Sequence, residues 1–428
     1  MRFRLLSLGI VSFLLASASF AQQQTASLTG QVTDSTGAAV PGAQVTVADT
    51  QRGFTTAVVT DQRGDYLFPE LEPSDHYQIS VIKTGFKSTV QTNVTLQIAQ
   101  SAKIDLKVAI GDVTDSVTVT SAAPQLDTQT SSLGQVITGN TVENLPLNGR
   151  STFRLIALTP GVTFSQSAYG QFGDVAVNST WDTNFSINGG RAQSNEILID
   201  GVPSSAGFFD QITTLPIVDE TQEFKVESNN LSAVYGRYSG GAINVTTKSG
   251  TNEYHGNVFE FLRNSAFDAN DWFNKRAGHS NIEFRMNQFG GTIGGPVTIP
   301  HLYKGHDRTF FFFAYQGTRR VKGSSFIGTV PTDAEKSGDF SAAGLNPIYN
   351  PYTTNSTTKV RTQFANNKID PSLIDPVAKA LEAYYPEPNT GGVGAVVSNF
   401  ISNSPVRVSQ DVFSGRVDHA AARDLAKT

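Results

Sequence analysis

The chain has 428 residues, a net charge of −5, 16% charged residues and no cysteine. The charged fraction is below the ~25% of ordinary soluble domains, and the lack of cysteine excludes disulfides, thiol nucleophiles and thiolate metal sites. No cluster of lysine and arginine with interleaved aromatic residues occurs, so the electrostatic footprint of a nucleic-acid-binding protein is absent.

An export signal is predicted over residues 1–21. Arg2 and Arg4 precede an apolar run from Leu5 to Leu15, and the small residues Ser19 and Ala21 are typical of a signal-peptidase site. This run is shorter than the ~20 apolar residues that span a bilayer, which makes an anchor helix the weaker interpretation. No later stretch is longer, so a membrane-inserted form of the remaining chain would use closed β-structure.

Residues 26–108 predict a small β-sandwich. Apolar residues alternate with polar ones in several short runs, as in half-buried strands; examples are Leu28 and Val32, then Val45 and Val47, then Tyr66 and Phe68, then Tyr77, Ile79 and Val81. Turn residues such as Pro41-Gly42 and Thr84-Gly85 separate the runs. About seven strands are expected in this segment.

The same segment resembles the carboxypeptidase regulatory-like (transthyretin-like) domain. The matching motifs are GQVTDSTGAAVPGAQVTV, TDQRGDYLF and YQISVIKTGF. That family belongs to the carbohydrate-binding-like folds, so the resemblance implies a glycan contact. A rigid spacer or docking module is the alternative, because a shared fold argues only weakly for function.

A linker is expected over residues 109–130. Its β-branched run from Val117 to Thr120 has high strand propensity and is followed by Pro124. An extended segment of this kind can add itself to the edge of another protein's sheet. The other interpretation makes it the last strand of the preceding sandwich, and the residues leave both open.

Residues 131–250 predict a mixed α+β domain. A turn leads into a short amphipathic helix around Phe153 to Leu158, stopped by Pro160. The run Glu196 to Ile199 predicts a buried strand that ends in a tight turn at Asp200 and Gly201.

Three arginines of this domain stand beside glycine turns. We expect Arg150, Arg191 and Arg237 to pair with carboxylates inside the protein, since buried arginine suits bidentate pairing. Candidate partners are Asp200, Glu220 and Glu223.

Four segments after Thr251 reach the ~9 to 11 residues of a tilted membrane strand. They are Glu253–Arg263, Asn287–Thr298, Thr309–Lys322 and Asp411–Ala420. The aromatic run Phe310 to Phe313 suits a girdle at the lipid boundary or a strand buried on both faces. The last residues, Ala420 to Lys427, favour a helix.

Several motifs resemble TonB-dependent outer-membrane receptors of the Oar-like branch. They are LPLNGR, TPGV, INGGRAQSNEILIDGVP, YGRYSGGAINVTTKSGTNEYHG, NQFGGTIGGPV and RTFFFFAYQGTR. The resemblance implies a mainly β protein with an N-terminal sandwich, an α+β plug over residues 131–250 and, over residues 251–428, the first strands of an incomplete transmembrane β-barrel.

The resemblance also implies sites and partners. It places a TonB-box-like segment at Asp115, Ser116, Val117, Thr118 and Val119, and plug motif residues at Arg150, Arg191, Asp200, Gly201 and Arg237. The implied location is the outer membrane of a Gram-negative bacterium. The implied partners are TonB with its inner-membrane energising complex, outer-membrane lipid and an extracellular substrate, with an oligosaccharide or a peptide as candidates.

Length and missing motifs complete the expectations. A barrel of about 22 strands at ~10 residues each exceeds what Thr251 to Thr428 can supply, so we expect a truncated or frameshifted transporter. No H-E-x-x-H or G-x-S-x-G occurs, so no catalytic residue, metal or cofactor is expected. The alternative function is a secreted or surface β-rich adhesin that binds carbohydrate.

Overall fold

A computed structural model describes most of the chain after residue 24. The described residues are 25–113, 116–120, 129–145, 147, 149–164, 185–206, 211–233, 235–236, 238–270, 272–276, 281–323, 326–342, 344–391, 394–402 and 405–420. The predicted signal peptide and the predicted C-terminal helix after Ala420 lie outside them. Within these ranges no helix is long and apolar enough to cross a membrane.

The described chain is mainly β, as predicted, and forms two compact units. The first unit contains the described residues up to Glu260, together with Phe289–Gly317 and those from Asp411 onward. The second contains Phe261–Gln288 and Thr318–Gln410.

The N-terminal domain is a two-sheet sandwich. Its strands are β1 (Ala26–Asp34), β2 (Gln44–Asp49), β3 (Thr55–Val59), β4 (Asp65–Leu71), β5 (Ser74–Ile82), β6 (Ser88–Leu96), β7 (Ser101–Lys103), β8 (Leu106–Val108) and β9 (Ser116–Thr120). One sheet has the order β4-β1-β7, with β8 also paired to β1, and the other has the order β3-β2-β5-β6-β9. Residues 26–108 contain eight strands where about seven were expected, and β9 comes from the expected linker.

Alternating burial along the strands builds the sandwich core. In β1 every second residue from Ala26 to Val32 is buried, and β5 shows the same alternation. The inward side chains of both sheets meet in one cluster that includes Leu28, Val32, Val45, Val47, Phe68, Tyr77, Ile79, Leu96 and Leu106. The period-two pattern of the sequence therefore corresponds to the buried faces of both sheets.

Gly30 allows two backbone segments to cross in this core. A Cβ atom at position 30 would lie 1.8 Å from the carbonyl oxygen of Ile104. That carbonyl also accepts a hydrogen bond of 2.6 Å from the hydroxyl of Tyr66. No other residue type fits at position 30 without a shift of the segment around Ile104.

The central domain follows the linker. Its strands are β10 (Leu133–Thr138), β11 (Val162–Phe164), β12 (Phe185–Ile187), β13 (Glu196–Ile199), β14 (Val202–Pro203), β15 (Ser205–Ala206), β16 (Gln211–Ile212), β17 (Thr221–Asn229) and β18 (Ala242–Thr247). Its helices are α1 (Gly139–Asn144) and the 3₁₀ helices Thr152–Leu158 and Val218–Glu220. The main sheet has the order β10-β17-β18-β13-β14.

Two local predictions for this domain are confirmed. The expected short helix is the 3₁₀ helix Thr152–Leu158, whose Phe153, Leu155 and Ile156 are buried. The expected turn after β13 has positive φ angles at Asp200 and Gly201 and leads into β14. Glycine and aspartate tolerate this left-handed conformation better than most residues.

The main sheet of the central domain has one apolar and one charged face. Phe224 and Val226 of β17 lie in the apolar core with residues of the neighbouring strands. The alternate residues of β17 are Glu223, Lys225 and Glu227, and all three are buried. β17 therefore alternates apolar and charged residues in sequence, although residues 223–227 are buried on both faces.

The last described part of the chain contains a four-stranded sheet. Its strands are β19 (His255–Asn264), β20 (Phe284–Pro296), β21 (Thr298–Ile299), β22 (Tyr303–Lys304), β23 (Thr309–Lys322), β24 (Phe326–Gly328), β25 (Phe400–Ser402) and β26 (Val406–His419). The four long strands pair in the order β19-β20-β23-β26, and the others form two two-stranded sheets, β21-β22 and β24-β25. Short helices are α2 (Trp272–Arg276), α3 (Asp333–Lys336), α4 (Pro376–Glu382) and the 3₁₀ helices Ser265–Phe267, Pro351–Thr353, Ala365–Asn367 and Pro371–Leu373.

The four long strands lie where the sequence predicted them, with ends that differ by a few residues. In β23, Phe310 and Phe312 are buried, whereas Phe313 is exposed. The aromatic run therefore alternates between the two faces of the sheet and is not buried on both. Such alternation is typical of a strand whose two faces lie in different environments, one buried and one exposed.

The long connection between β24 and β25 belongs to the second unit, and polar side chains such as Asn399 hold it in place. Asn399 is fully buried, and its side chain accepts a hydrogen bond from the Val330 amide (2.8 Å) and donates one to the Val330 carbonyl (2.9 Å). Lys368 pairs with Asp339 at 2.7 Å and, with Ser341, holds the pKa of Asp339 at about 2.

We expect Ile79→Ala to destabilise the sandwich by about 2 to 5 kcal/mol, because it opens a cavity in a fully buried position of β5. Urea unfolding of the excised segment 25–120 would measure the change. Val59→Ala, at the 67% exposed end of β3, is the matched control and should change stability by less than about 0.5 kcal/mol. Equal effects of both substitutions would contradict the assigned core.

Candidate functional site

Asp219 is the centre of a buried polar contact between the central domain and β19. Its Oδ2 lies 2.5 Å from Nη2 of Arg150, and its Oδ1 accepts a hydrogen bond of 3.0 Å from the side-chain amide of Asn257. The side chains of Arg150 and Asp219 are each 8% exposed. Both carboxylate oxygens of Asp219 are thus engaged, one of them from β19.

Arg150 also contacts an aromatic ring of β19. Its guanidinium carbon lies 4.7 Å from the centre of the Phe259 ring, within the range of cation–π attraction. The backbone of Arg150 has φ +51 and follows Gly149 at φ +79, so this turn is left-handed. A non-glycine residue is uncommon in this conformation, and here the turn directs the arginine side chain onto Asp219 and Phe259.

Asp200 forms a second polar contact, between the central domain and β26. Thr247 donates to Asp200 through its amide (2.9 Å) and its hydroxyl (2.6 Å). Arg416 of β26 lies 3.5 Å from Asp200 and donates to the carbonyl of Thr247 at 2.8 Å. Arg416 is held in turn by Asp418, at 2.8 Å and 3.0 Å.

Glu220 directly follows Asp219 in the sequence. Its carboxylate accepts a hydrogen bond of 2.8 Å from the Ile217 amide at the N-terminus of the 3₁₀ helix Val218–Glu220. Burial raises the pKa of Glu220, and the hydroxyl of Ser414 on β26 partly offsets this increase. Next to it, Ile217 packs against Phe312 and Ala314 of β23.

These contacts suit a mechanical role better than a chemical one. Asp200, Asp219 and Glu220 all belong to the central domain, and each is approached by a side chain from a long strand. Removing one partner of a buried ion pair leaves an uncompensated charge and costs several kcal/mol. Among the described residues, no group of three or more metal-ligating side chains could hold a metal ion.

The predicted plug motif residues differ in their burial and in their partners. Arg150 is buried and paired, but with Asp219 and not with the expected candidates Asp200, Glu220 or Glu223. Gly201 lies in the turn after Asp200. Arg191 is exposed, and Arg237 lies outside the described residues.

Sequence reasoning missed Asp219, Asn257 and Arg416. One signal was available for Arg416: burial alternates along β26 from Val406 to His419, and Arg416 stands at one of its less exposed positions. A charged residue at such a position requires a partner. No comparable signal marks Asn257, because an asparagine near a strand start is also typical of a turn.

The segment predicted to resemble a TonB box is a strand of the sandwich. Ser116–Thr120 forms β9, which pairs in parallel with β6, for example Val117 with Thr89. Of the two interpretations that the sequence left open, the structure has the last strand of the sandwich sheet. Val117 and Val119 are 43% and 48% exposed, and Asp115 lies outside the described residues.

Two family models match the chain. Residues 27–109 match the carboxypeptidase regulatory-like domain, and residues 246–425 match an outer membrane beta barrel domain. The first match coincides with the sandwich and the second with the four-stranded sheet and its connections.

Similar proteins are outer-membrane transporters and receptors. The TonB-dependent transporter Oar of Myxococcus xanthus is 26% identical over 322 residues, which cover 72% of this chain and 28% of that protein. The outer membrane transporter YddB from Escherichia coli has 18% identity and a TM-score of 0.33, over 46% of this chain and 27% of that one. The siderophore receptor PirA from Acinetobacter baumannii has 23% identity and a TM-score of 0.31, over 47% and 29%. The chain therefore spans less than a third of the length of each.

We expect Arg150→Met to lower the stability of the central domain by about 3 to 5 kcal/mol, because Asp219 would stay buried without its counter-charge. The urea concentration at which protease cleaves the central domain in isolated membranes should fall. The double variant Arg150→Met/Asp219→Asn restores charge balance and should recover most of the loss. Additive losses in the double variant would contradict a direct ion-pair role.

Proposed function

From this chain's homology to a TonB-dependent outer-membrane transporter, we propose that it acts as a TonB-dependent receptor for energised substrate uptake. Its barrel-domain match and its relative assign it to the outer membrane of a Gram-negative bacterium. The similar proteins named above are transporters and receptors. These matches do not favour the alternative of a secreted adhesin.

The central domain would be the plug of this receptor. The observation that carries the proposal is the pair of polar contacts by which the buried Asp219 and the partly exposed Asp200 meet side chains of β19 and β26. A plug must be held firmly enough to close a pore and must still be able to move. Polar contacts suit this requirement, because losing one partner of a buried charged group is costly, whereas both partners can exchange each other for water when the site opens.

The strand β9 would be the segment that TonB captures. Backbone groups of a sheet-edge strand can pair with a second protein, and the interaction demands little of the side chains. Here β9 lies at the edge of the sheet β3-β2-β5-β6-β9, so one of its two sides is already paired with β6. Capture by TonB would use the free edge of β9 or would first remove β9 from β6.

Substrate and energy source follow from the proposed receptor role. TonB and its inner-membrane complex would transmit the energy of the proton gradient, and the plug would respond to the pull. The sandwich would serve as a docking module or would contact glycans, in line with an oligosaccharide or a peptide as the transported substrate.

We expect a cysteine at Val117 to crosslink to TonB in energised cells, because Val117 is partly exposed on the edge strand β9. The chain has no cysteine of its own, so the adduct is specific. Val59→Cys is the matched control, since Val59 belongs to β3 at the opposite edge of the same sheet.

The adduct of Val117→Cys should exceed that of Val59→Cys at least about tenfold, and a protonophore should reduce it. Absence of an adduct, or equal adducts at the two edges, would overturn the assignment of β9 as the captured segment.

A further inference from the structure

The charged face of the central sheet lies under the N-terminal sandwich. Glu223, Lys225 and Glu227 follow one another on this face of β17, with exposures of 8%, 7% and 3%. Glu196, also buried, stands on the neighbouring part of the same sheet, because both Glu196 and Glu227 pair with Ala242 of β18. Three carboxyl groups thus accompany one lysine.

One turn of the sandwich makes the contact with this face. The Glu223 carboxyl accepts a hydrogen bond of 2.6 Å from the Ile98 amide, and the Lys225 ammonium donates to the Ala99 carbonyl at 2.8 Å. Lys225 also lies 3.3 Å from Glu227. Ile98 is almost fully buried, and Ala99 has a left-handed backbone with φ +50. The turn is therefore held tightly and in an uncommon conformation.

A cleft of about 590 Å³ opens beside this contact. The sandwich lines it with residues such as Asp75, Asn93 and Gln97, and the central domain lines it with Glu143, Glu223 and Lys248. Because the cleft reaches Glu223, solvent protons have a route to that carboxyl.

We propose that the sandwich is a detachable cap on the central domain, closed while Glu223 is neutral and released when Glu223 ionises. The inference concerns two domains of one chain and does not depend on transport activity.

The pKa of Glu223 is shifted in the direction that this cap requires. Burial raises the pKa of Glu223 to about 7, and nearby Asp75 adds to the increase, whereas the Ile98 amide and Lys225 oppose it. A carboxyl whose pKa is raised in the closed state binds more protons there than in the open state. The closed state is thus fully favoured below the ordinary pKa of 4.5 and loses stability as the pH rises toward about 7.

Other charged groups around the contact are already paired. Glu143 and Lys248 form an ion pair on the cleft wall, and Asp75 lies 2.8 Å from His76. A second contact joins the sandwich to the strand region, where the Gln51 carbonyl accepts from the Asn252 amide at 3.0 Å. Beside it, Asp307 is hydrogen-bonded to His306. The experiment must therefore isolate Glu223 from these neighbouring charged groups.

Distances between spin labels on the two domains test the cap. Labels at Val59→Cys on the sandwich and Leu133→Cys on the central domain occupy exposed positions, and the chain has no other cysteine. Pulsed electron resonance on isolated outer membranes, labelled first and then transferred to pH 5 or pH 8, would report the fractions of closed and open molecules.

We expect the ratio of closed to open molecules to fall at least about tenfold from pH 5 to pH 8. Glu223→Gln, which is neutral and of the same shape, should stay closed at both values. Glu143→Gln removes another carboxyl of the same cleft and should retain the pH response of the unmodified protein.

An unchanged distance distribution between pH 5 and pH 8 would overturn the proposal. A pH response that persists in Glu223→Gln would also overturn it, because the response would then come from another group. Neither result bears on the crosslink to TonB, so the cap and the receptor function can fail separately.

Discussion

The organisation of the first unit depends on the burial of charged side chains on the central domain. An ionised group removed from water costs several kcal/mol unless a partner of opposite charge or a set of hydrogen bonds replaces the water. Asp219 meets this requirement with Arg150 and Asn257, the partly exposed Asp200 is paired with Arg416, and the buried carboxyl of Glu223 accepts a hydrogen bond from the Ile98 amide. The neighbouring elements therefore take positions that satisfy these charges.

The same requirement makes the contacts reversible. A purely apolar interface has no simple trigger, whereas a carboxyl can change its charge or exchange its partner for water. The contacts of Asp219 and Asp200 with β19 and β26 would hold a plug, and the contact of Glu223 with the turn at Ile98 would hold a cap. A mechanical pull at β9 and a change in the charge of Glu223 would thus act on two different interfaces of the first unit.

Local elements were predictable from particular residues. The alternation of Leu28, Val45, Tyr77 and Ile79 predicted the sandwich, because a two-residue period directs side chains to one face. Asp200-Gly201 predicted its turn, because both residues tolerate positive φ. The four long strands were predictable from length and composition. The short strands β7 and β8 were not, since three residues carry too little pattern.

Partners across the fold were not predictable to the same extent. The sequence predicted that Arg150 would pair with a carboxylate, but its candidate partners did not include Asp219, because the partner depends on how the Gly149 turn directs the arginine side chain. The sequence did not decide whether β9 is a free segment or a strand of the sandwich. The pairing of β9 with the edge of β6 makes it a strand of the sandwich.

The amino-acid sequence by itself determined the β-rich class, the positions of the strands and turns, and the family motifs, because these depend on residues close together in the chain. The tertiary structure alone decided which charges meet, since Glu223 and Ile98, or Asp200 and Arg416, are far apart in sequence. Their energies arise only when folding removes both groups from water.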